Sequence, residues 1–218
     1  MNYKAVIAGA SGLVGNLLLE QLLVHPAYAK VSVLVRKKLK VQHPKLKQIL
    51  VDFDRLNDYQ HEINGQALFC CLGTTRSKTP DLKTYRKIDH DYPVQLGKIG
   101  AKNSMSQLHL ISSLGADINS AFFYTKLKGE TEADIKQIEI NRICIYQPSL
   151  LTGNRQEKRT AEPFVTSLFK LIDPLLIGPL NKYKSIPAET VAKVMLNQSL
   201  KNSSGIFTYP SDQIKKLA

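Results

Sequence analysis

The 218-residue sequence contains no tryptophan, only three cysteines and no uncharged apolar run long enough to span a bilayer. Cys70, Cys71 and Cys144 are too few for a disulfide framework, and no CxxC pair indicates a zinc site. The first residues lead directly into a predicted strand and lack the features of a signal peptide. We therefore expect a protein of a reducing, cytoplasmic compartment, with no membrane association and nothing removed.

Acidic residues are also scarce. The sequence has 18 Asp and Glu against 30 Lys and Arg, a formal net charge of +12, which favours anionic partners. The basic residues are nevertheless spread along the chain, with short clusters only at Arg36–Lys40 and Lys215–Lys216, and no stripe alternates them with aromatics. We expect no nucleic-acid binding, because a phosphate-bearing small molecule accounts equally well for a local cluster. The five histidines form no metal-ligand pattern, so no metal site is predicted.

Strand-like and helical segments alternate along the first two thirds of the chain. Six short apolar runs are rich in β-forming residues: 4–8, 31–35, 49–51, 67–71, 108–111 and 143–146. Helical periodicity lies between several of them, at 13–22, 92–99 and 124–138. The alternation predicts an α/β fold, a Rossmann-like doubly wound parallel sheet that binds its ligands at the carboxyl ends of the strands.

After Tyr146 the alternation weakens, and prolines and glycines become frequent. Two apolar stretches, 164–172 and 175–180, predict short helices or loops over the sheet, followed by a helix at 188–200 and a last strand at 205–209. We predict a single NAD(P)-binding domain over residues 1–218. Its dinucleotide-binding core is residues 1–147, and a small C-terminal extension, 148–218, builds the substrate side and closes the fold.

The strongest local signal is AVIAGASGLVG at residues 5–15, where an apolar strand runs into three glycines and then into an amphipathic helix. Such glycines allow a sharp turn, a close approach of backbone N–H groups to a pyrophosphate, and tight packing of helix on strand. The spacing is GxxGxxG rather than GxGxxG, and the alternative is a tight β–α connection without a ligand. The predicted pyrophosphate site comprises Gly9, Ser11, Gly12, Leu13, Val14 and Gly15.

Basic side chains after the second predicted strand bear on the choice of dinucleotide. An acidic residue there would bind the ribose 2′-hydroxyl of NAD, but Arg36 and Lys37 follow this strand. A guanidinium pairs with a 2′-phosphate, so the sequence favours NADP, and a solvated basic loop is the alternative. After the third run, the Asp52 carboxylate could accept from the adenine amino group, whereas Asp54 and Asp58 could equally cap a helix.

The fourth run leads into Leu72, Gly73 and Thr74. A glycine and a small hydroxyl at the carboxyl end of a strand suit a chain that passes close to a cofactor. Nothing in the sequence marks a lowered thiol pKa at Cys70 or Cys71, which we interpret as small buried hydrophobes rather than nucleophiles.

Four residues form a candidate catalytic group. Ser112 and Ser113 end the fifth run, and Tyr124 and Lys128 lie four positions apart, on one face of a predicted helix. A nearby ammonium favours tyrosinate, which allows a tyrosine to exchange a proton with a carbonyl or alcohol, and a serine hydroxyl can position the same oxygen. Strand alternation could turn either serine towards the site, and Ser113 is preferred. The alternative is an exposed Tyr and Lys on a solvated helix face.

The chain resembles the short-chain dehydrogenase/reductase superfamily over nearly its whole length. GASGLVG, the serine pair and YxxxK are that superfamily's motifs in their usual order. Longer strings are similar to the atypical branch typified by the Tat-interacting-protein oxidoreductases: VDFDRLNDY, FCCLGTTR, DHDY, LISSLGAD, KGETEAD and RQEKR.

The resemblance implies roles for the cofactor-facing residues. The glycine turn would bind the pyrophosphate, Arg36 with Lys37 the 2′-phosphate, and Asp52 with Phe53 the adenine. Further implied contacts line the rest of the cofactor: Leu72, Gly73, Thr74, Pro148, Leu151 and, through a phosphate, Arg159. A charged surface loop is the alternative for Arg159 and its basic neighbours.

The resemblance also implies that Lys128 binds the nicotinamide ribose and that Tyr124 is the acid/base. This sequence departs from the family pattern at one point beside the nicotinamide, where relatives commonly carry Pro-Gly and this chain has Pro148-Ser149. That departure puts the close approach of the backbone in question.

Together these features predict an NADP(H)-dependent oxidoreductase that transfers hydride to a small carbonyl substrate or from an alcohol. The alternative is a catalytically weak NADP(H)-binding regulator that acts through a protein partner. Retention of both Tyr124 and Lys128 favours the enzyme, because a sensor needs no proton donor. The sequence predicts neither the identity of the substrate nor the oligomeric state.

Overall fold

The computed structural model describes residues 2–153 and 183–218. The predicted segments 164–172 and 175–180 and residue Arg159 lie outside the described residues. The elements in chain order are β1 (Tyr3–Ala8), α1 (Leu13–Val24), β2 (Tyr28–Val35), β3 (Leu46–Leu50), a 3-10 segment (Phe53–Glu62), β4 (Ala67–Cys70), α2 (Leu82–Arg86), a π turn (Lys87–Asp91), α3 (Tyr92–Lys102), β5 (Gln107–Ile111), α4 (Phe123–Lys136), β6 (Arg142–Gln147), β7 (Leu151–Thr152), β8 (Ile186–Pro187), α5 (Ala188–Ser199), β9 (Gly205–Pro210) and α6 (Ser211–Lys216).

Seven of these strands form one parallel sheet in the order β3-β2-β1-β4-β5-β6-β9. The chain runs from β1 outward to β3 and then returns across β1 to begin the other half at β4. The strand order therefore reverses between β1 and β4, and doubly wound sheets bind ligands at such a point. This confirms the predicted Rossmann-like fold. A second, two-residue pairing joins β7 to β8.

Both faces of the sheet are apolar, because alternate residues of each strand enter opposite halves of the core. Ile7 and Phe69 pack on one side with residues of α1 and α5, such as Leu18 and Val191. The residues next to them along the strands pack on the other side with α3 and α4: Val6, Ala8, Leu68 and Cys70. Period-2 alternation with apolar residues on both faces is the pattern of a sheet covered by helices on each side.

The predicted strands and helices within the described ranges are present, with shifts at their ends. Strand β3 covers Leu46–Leu50 rather than 49–51, because it is the edge strand and its first residues, half-buried, include the charged Lys47. Helix α3 is preceded by α2 and the π turn, which the sequence analysis missed because that stretch is charged and lacks an apolar period. Asp81 begins α2 by accepting from the Thr84 backbone N–H at 2.8 Å. In the part of the chain that is described, no helix combines the length and apolarity needed to cross a membrane.

Candidate cofactor and active site

Two of the three glycines in the first turn are required by the packing of the chain on itself. Gly9 has φ +90°, and a Cβ there would lie 2.4 Å from the carbonyl oxygen of Cys71. A Cβ on Gly15 would lie 2.2 Å from the carbonyl oxygen of Gly9. Both contacts are with main chain, which cannot move aside cheaply. The tight β–α connection that the sequence analysis kept as an alternative therefore accounts for Gly9 and Gly15.

Gly12 differs in degree, because a Cβ there would make a tight contact rather than an overlap with the main chain. Its φ is −80°, and a Cβ would lie 3.3 Å from the Gly9 carbonyl oxygen and 4.0 Å from that of Cys71. Gly12 begins α1, whose first turn contains no acidic residue, and no side chain of residues 2–153 or 183–218 caps the helix. Among these residues, the first-turn N–H groups at Leu13, Val14 and Gly15 thus have no side-chain acceptor, which is the arrangement that binds an anion.

Residues that follow β2 and β3 lie at the carboxyl ends of these strands, in the half of the sheet that β1 separates from β4. Arg36 and Lys37 are exposed and form no ion pair with another described residue. Asp52, not Asp54 or Asp58, caps the 3-10 segment, because its Oδ1 accepts from the Asp54 backbone N–H at 3.0 Å. The alternative that Asp54 or Asp58 caps a helix therefore does not hold at the start of this segment.

Those two carboxylates have other partners. Asp54 accepts hydrogen bonds of 2.8 Å from Lys87 Nζ and from the Tyr92 hydroxyl, and Asp58 pairs with Arg55 at 2.6 Å. The ring of Phe53 is buried and packs against Tyr92 with a centroid separation of 5.5 Å.

The loop after β4 lies against the glycine turn and is fixed by main-chain and side-chain contacts. The Cys71 N–H donates to the Ala8 carbonyl at 2.8 Å, and the Thr74 N–H donates to Asp89 Oδ2 at 2.8 Å. Burial raises the pKa of the Cys70 thiol to about 11 and raises that of Cys71 well above its ordinary value. Neither thiol is poised as a nucleophile, as the sequence analysis expects.

The two serines after β5 have different environments. The Ser112 hydroxyl donates to Glu132 Oε1 at 2.5 Å, and the same buried carboxylate accepts from Gln147 Nε2 at 2.8 Å. The Ser113 hydroxyl is buried as well, but it has no hydrogen-bond partner among residues 2–153 and 183–218. Of the two hydroxyls, that of Ser113 is thus the one without a partner in the described part of the chain.

Tyr124 and Lys128 lie on the first two turns of α4 in contrasting environments. Tyr124 is 43% exposed, whereas Lys128 is 5% exposed and its Nζ lies 2.8 Å from Asp89 Oδ1. Burial opposes the positive charge of Lys128, but attraction to Asp89 and then to Tyr124 outweighs it, so the pKa of Lys128 is raised. The pair is therefore not the solvated helix face considered as the alternative: the lysine is a buried cation that interacts electrostatically with the tyrosine.

The segment after β6 brings the C-terminal extension to the same edge. The Leu114 N–H donates to the Pro148 carbonyl at 3.0 Å, which joins the ends of β5 and β6. Leu151 pairs with Ile186, and a Cβ on Gly153 would lie 3.3 Å from a methyl group of Leu13 at the start of α1. The hydroxyl of Ser149, at the departure from Pro-Gly, donates to the Lys184 carbonyl and contacts Ser211 Oγ at 2.8 Å.

Two acidic residues of this site escaped the sequence analysis. Asp89 pairs with Lys128, and Glu132 binds Ser112. A buried lysine requires a counter-ion, which is a usable signal once burial is known. Pattern alone could not choose Asp89 among the acidic residues of the sequence, because the pairing depends on how α4 packs against the π turn.

Comparisons with known proteins agree with this architecture. No family model matches the sequence. Protein HTATIP2 of Rattus norvegicus is 32% identical over 209 residues, which cover 94% of this chain and 84% of the rat protein. The mitochondrial protein fmp52 of Emericella nidulans is 27% identical over 222 residues, which cover 97% and 93% of the two chains.

Among solved structures, the enzyme WbmG of Bordetella bronchiseptica in complex with NAD matches with a TM-score of 0.70 at 12% identity. The match covers 99% of this chain and 76% of that one. At this identity the likeness shows the fold, which in WbmG binds NAD.

The fungal relatives contradict the predicted cytoplasmic location. The proteins of Emericella nidulans and Saccharomyces cerevisiae are both named as mitochondrial. The prediction was wrong because it rested on features that the first residues lack, and the absence of a signal-peptide pattern does not specify a compartment.

Proposed function

Since this chain belongs to the family of protein HTATIP2, an atypical branch of the short-chain dehydrogenases/reductases, we propose that it is an NADP(H)-dependent oxidoreductase of a small carbonyl or alcohol substrate. The observation that carries the proposal is the pairing of an exposed Tyr124 with a buried, charged Lys128 one turn along α4. A proton donor open to a substrate and a fixed cation behind it are the two groups that carbonyl reduction requires of the protein.

The glycine turn would bind the pyrophosphate. Gly12 has no side chain to cover the start of α1, and the first-turn N–H groups, uncapped by any described side chain, would supply donors for phosphate oxygens. Arg36 and Lys37, exposed and without an ion pair in the described part of the chain, would bind the 2′-phosphate of NADP. The Asp52 cap, the Leu72–Thr74 loop and Leu151 would border the remainder of the dinucleotide.

When bound, NADPH supplies the hydride that adds to the carbonyl carbon. Tyr124 then gives its hydroxyl proton to the carbonyl oxygen, which completes the alcohol, and regains a proton from solvent. The Lys128 ammonium stabilises the tyrosinate left behind and would bind the nicotinamide ribose. The free hydroxyl of Ser113 would donate to the substrate oxygen and orient it towards Tyr124.

A paired titration tests the cofactor assignment. Nicotinamide fluorescence is followed as NADPH or NADH is added to the parent protein, to Arg36→Ala and to Lys193→Ala. Lys193, exposed on α5, provides a control with the same loss of charge. We expect the parent to prefer NADPH, and Arg36→Ala to weaken NADPH binding by about 10- to 100-fold with little effect on NADH.

Equal binding of both cofactors by the parent would contradict the assignment of Arg36. The regulator considered above predicts a different outcome, namely partner binding that requires NADPH and survives Tyr124→Phe, with no reductase activity towards any carbonyl tested.

A further inference from the structure

Asp89 lies where the helix that leads into α3 is locally widened. It is the central residue of the π turn (Lys87–Asp91), and it is 1% exposed. Single π turns within helices occur frequently at functional sites, because they redirect one side chain away from the helical register. A fully buried carboxylate at such a turn needs partners for both of its oxygens.

The two oxygens contact different parts of the site. Oδ1 forms an ion pair of 2.8 Å with Lys128 Nζ on α4 but accepts no hydrogen bond of good geometry from the described residues, and Oδ2 accepts from the Thr74 backbone N–H at 2.8 Å. The main-chain carbonyl of Asp89 also accepts from Thr131 Oγ1 on α4 at 3.0 Å. Asp89 therefore connects α4 to the loop after β4.

Asp89 is also the counter-ion of Lys128. The titratable groups that interact with Lys128 come from each element around it: Tyr85 of α2, Cys70 of β4, Asp89 of the π turn and Tyr124 of α4 itself. Asp89 is the carboxylate of this set, and its Oδ1 is the oxygen that lies 2.8 Å from Lys128 Nζ. Polar groups farther out on α2, the π turn and α4 contact one another instead: Arg86 pairs with Glu130, and His90 Nε2 lies 3.0 Å from Asp134 Oδ2.

We propose that Asp89 is a positioning residue of this site: it keeps Lys128 protonated, offsets part of the ammonium's field at Tyr124, and fixes the loop that carries Thr74 against α4. The inference rests on the proposed function for its effect on turnover. Its electrostatic part concerns Lys128 alone and can be measured without a substrate.

Replacement of Asp89 by asparagine should shift the pH dependence of carbonyl reduction in one direction only. The active form has a protonated Tyr124 and a charged Lys128. Without the carboxylate, burial favours loss of the Lys128 proton, and any ammonium that remains acts on Tyr124 without compensation. Either change removes the active form at a lower pH, so the alkaline limb of the pH–rate profile moves to lower pH.

The test measures kcat against pH for NADPH-dependent carbonyl reduction by the parent, Asp89→Asn, Asp89→Glu and Asp134→Asn. We expect Asp89→Asn to shift the alkaline limb down by about one pH unit or more and to lower kcat by about 10-fold. Asp89→Glu keeps the charge and should keep the position of the limb even if kcat falls. Asp134→Asn removes the same charge from the exposed outer part of α4 and should leave the limb in place.

A second readout needs no activity. The Lys128 side chain is titrated by NMR of protein labelled with ¹³C at lysine Cε, and Lys128→Met identifies its signal. We expect no titration below pH 10 in the parent and a titration at lower pH in Asp89→Asn. An unchanged limb and an unchanged Lys128 titration in Asp89→Asn would overturn the inference. A parent that reduces no carbonyl but shows the expected Lys128 shift would overturn the proposed function and leave the ionic role of Asp89 standing.

Discussion

Ser112 donates a hydrogen bond of 2.5 Å to the buried carboxylate of Glu132, which lies one turn beyond Lys128 on α4. Its neighbour Ser113, also just after β5, has a buried hydroxyl without a partner among the described residues. The two consecutive serines therefore differ: Ser112 joins the end of β5 to α4, and Ser113 is the one that we propose donates to the substrate. Strand alternation alone left this choice open.

The serine pair gives the first prediction. Ser113→Ala should lower kcat for carbonyl reduction by about 100-fold or more, because it removes a donor to the substrate oxygen. Ser112→Ala should lower the free energy of unfolding by about 1–3 kcal/mol, because Glu132 loses a buried partner, and should affect kcat much less. Urea unfolding and steady-state kinetics on both variants measure the two effects. A loss of kcat in Ser112→Ala equal to that in Ser113→Ala would contradict the assignment.

The glycine turn gives the second prediction. Gly12→Ala should lose much less stability than Gly15→Ala, since its Cβ meets a carbonyl oxygen at 3.3 Å and a shift of a few tenths of an ångström relieves that contact, but it should bind NADPH at least about 10-fold more weakly. Gly15→Ala is the matched variant, and its Cβ would lie 2.2 Å from the Gly9 carbonyl oxygen, so it should lose stability outright. Thermal unfolding without cofactor and fluorescence titration with NADPH distinguish the two. Equal destabilisation by both alanines would show that Gly12 also serves the fold.

A buried histidine gives the third prediction. His109 lies in β5, with Nδ1 3.0 Å from the Tyr146 hydroxyl and Nε2 3.0 Å from Gln107 Oε1. Burial, and then the charge of Arg142, lowers its pKa to about 3. The unfolded chain binds a proton at this residue below about pH 6.5 and the folded chain does not, so this stability is present above that pH and is lost as the pH falls towards 3.

The expected slope is about 1.4 kcal/mol of unfolding free energy per pH unit below pH 6. His109→Gln should remove this part of the pH dependence of the unfolding free energy. His61→Gln, at an exposed position of the 3-10 segment, should retain it. Urea unfolding at pH 7, 6, 5 and 4 measures the difference. Parallel pH dependences for the parent and His109→Gln would contradict a neutral, buried His109.

Sequence predicted the features that depend on residues close together in the chain. The turn at residues 5–15, the alternation of strands and helices, and the four-residue spacing of Tyr124 and Lys128 are all local, and each is present in the structure. Turn chemistry and helix periodicity are patterns of the local sequence, so they can be recognised without knowledge of tertiary contacts.

Long-range pairing could not be predicted in the same way. The expectation that Lys128 acts on Tyr124 as a lone cation omitted Asp89, whose place beside it depends on the π turn and on helix packing. The difference between Ser112 and Ser113 depends on Glu132 of α4, which accepts from Ser112 and from Gln147 of β6. The sequence of residues 5–15 predicted the glycine turn. It could not show why Gly9 and Gly15 must be glycines, because a Cβ at these positions would meet the backbone of Cys71 and of the turn itself.

The most direct test of the account is NADPH oxidation, followed at 340 nm across a panel of carbonyl compounds, by the parent, Tyr124→Phe and Tyr59→Phe. Tyr59 lies on the 3-10 segment and controls for the loss of a phenol hydroxyl. We predict turnover by the parent and by Tyr59→Phe, and a loss of at least about 100-fold in kcat for Tyr124→Phe with NADPH binding unchanged. Turnover by Tyr124→Phe at the rate of the parent would contradict the role of Tyr124 as the proton donor.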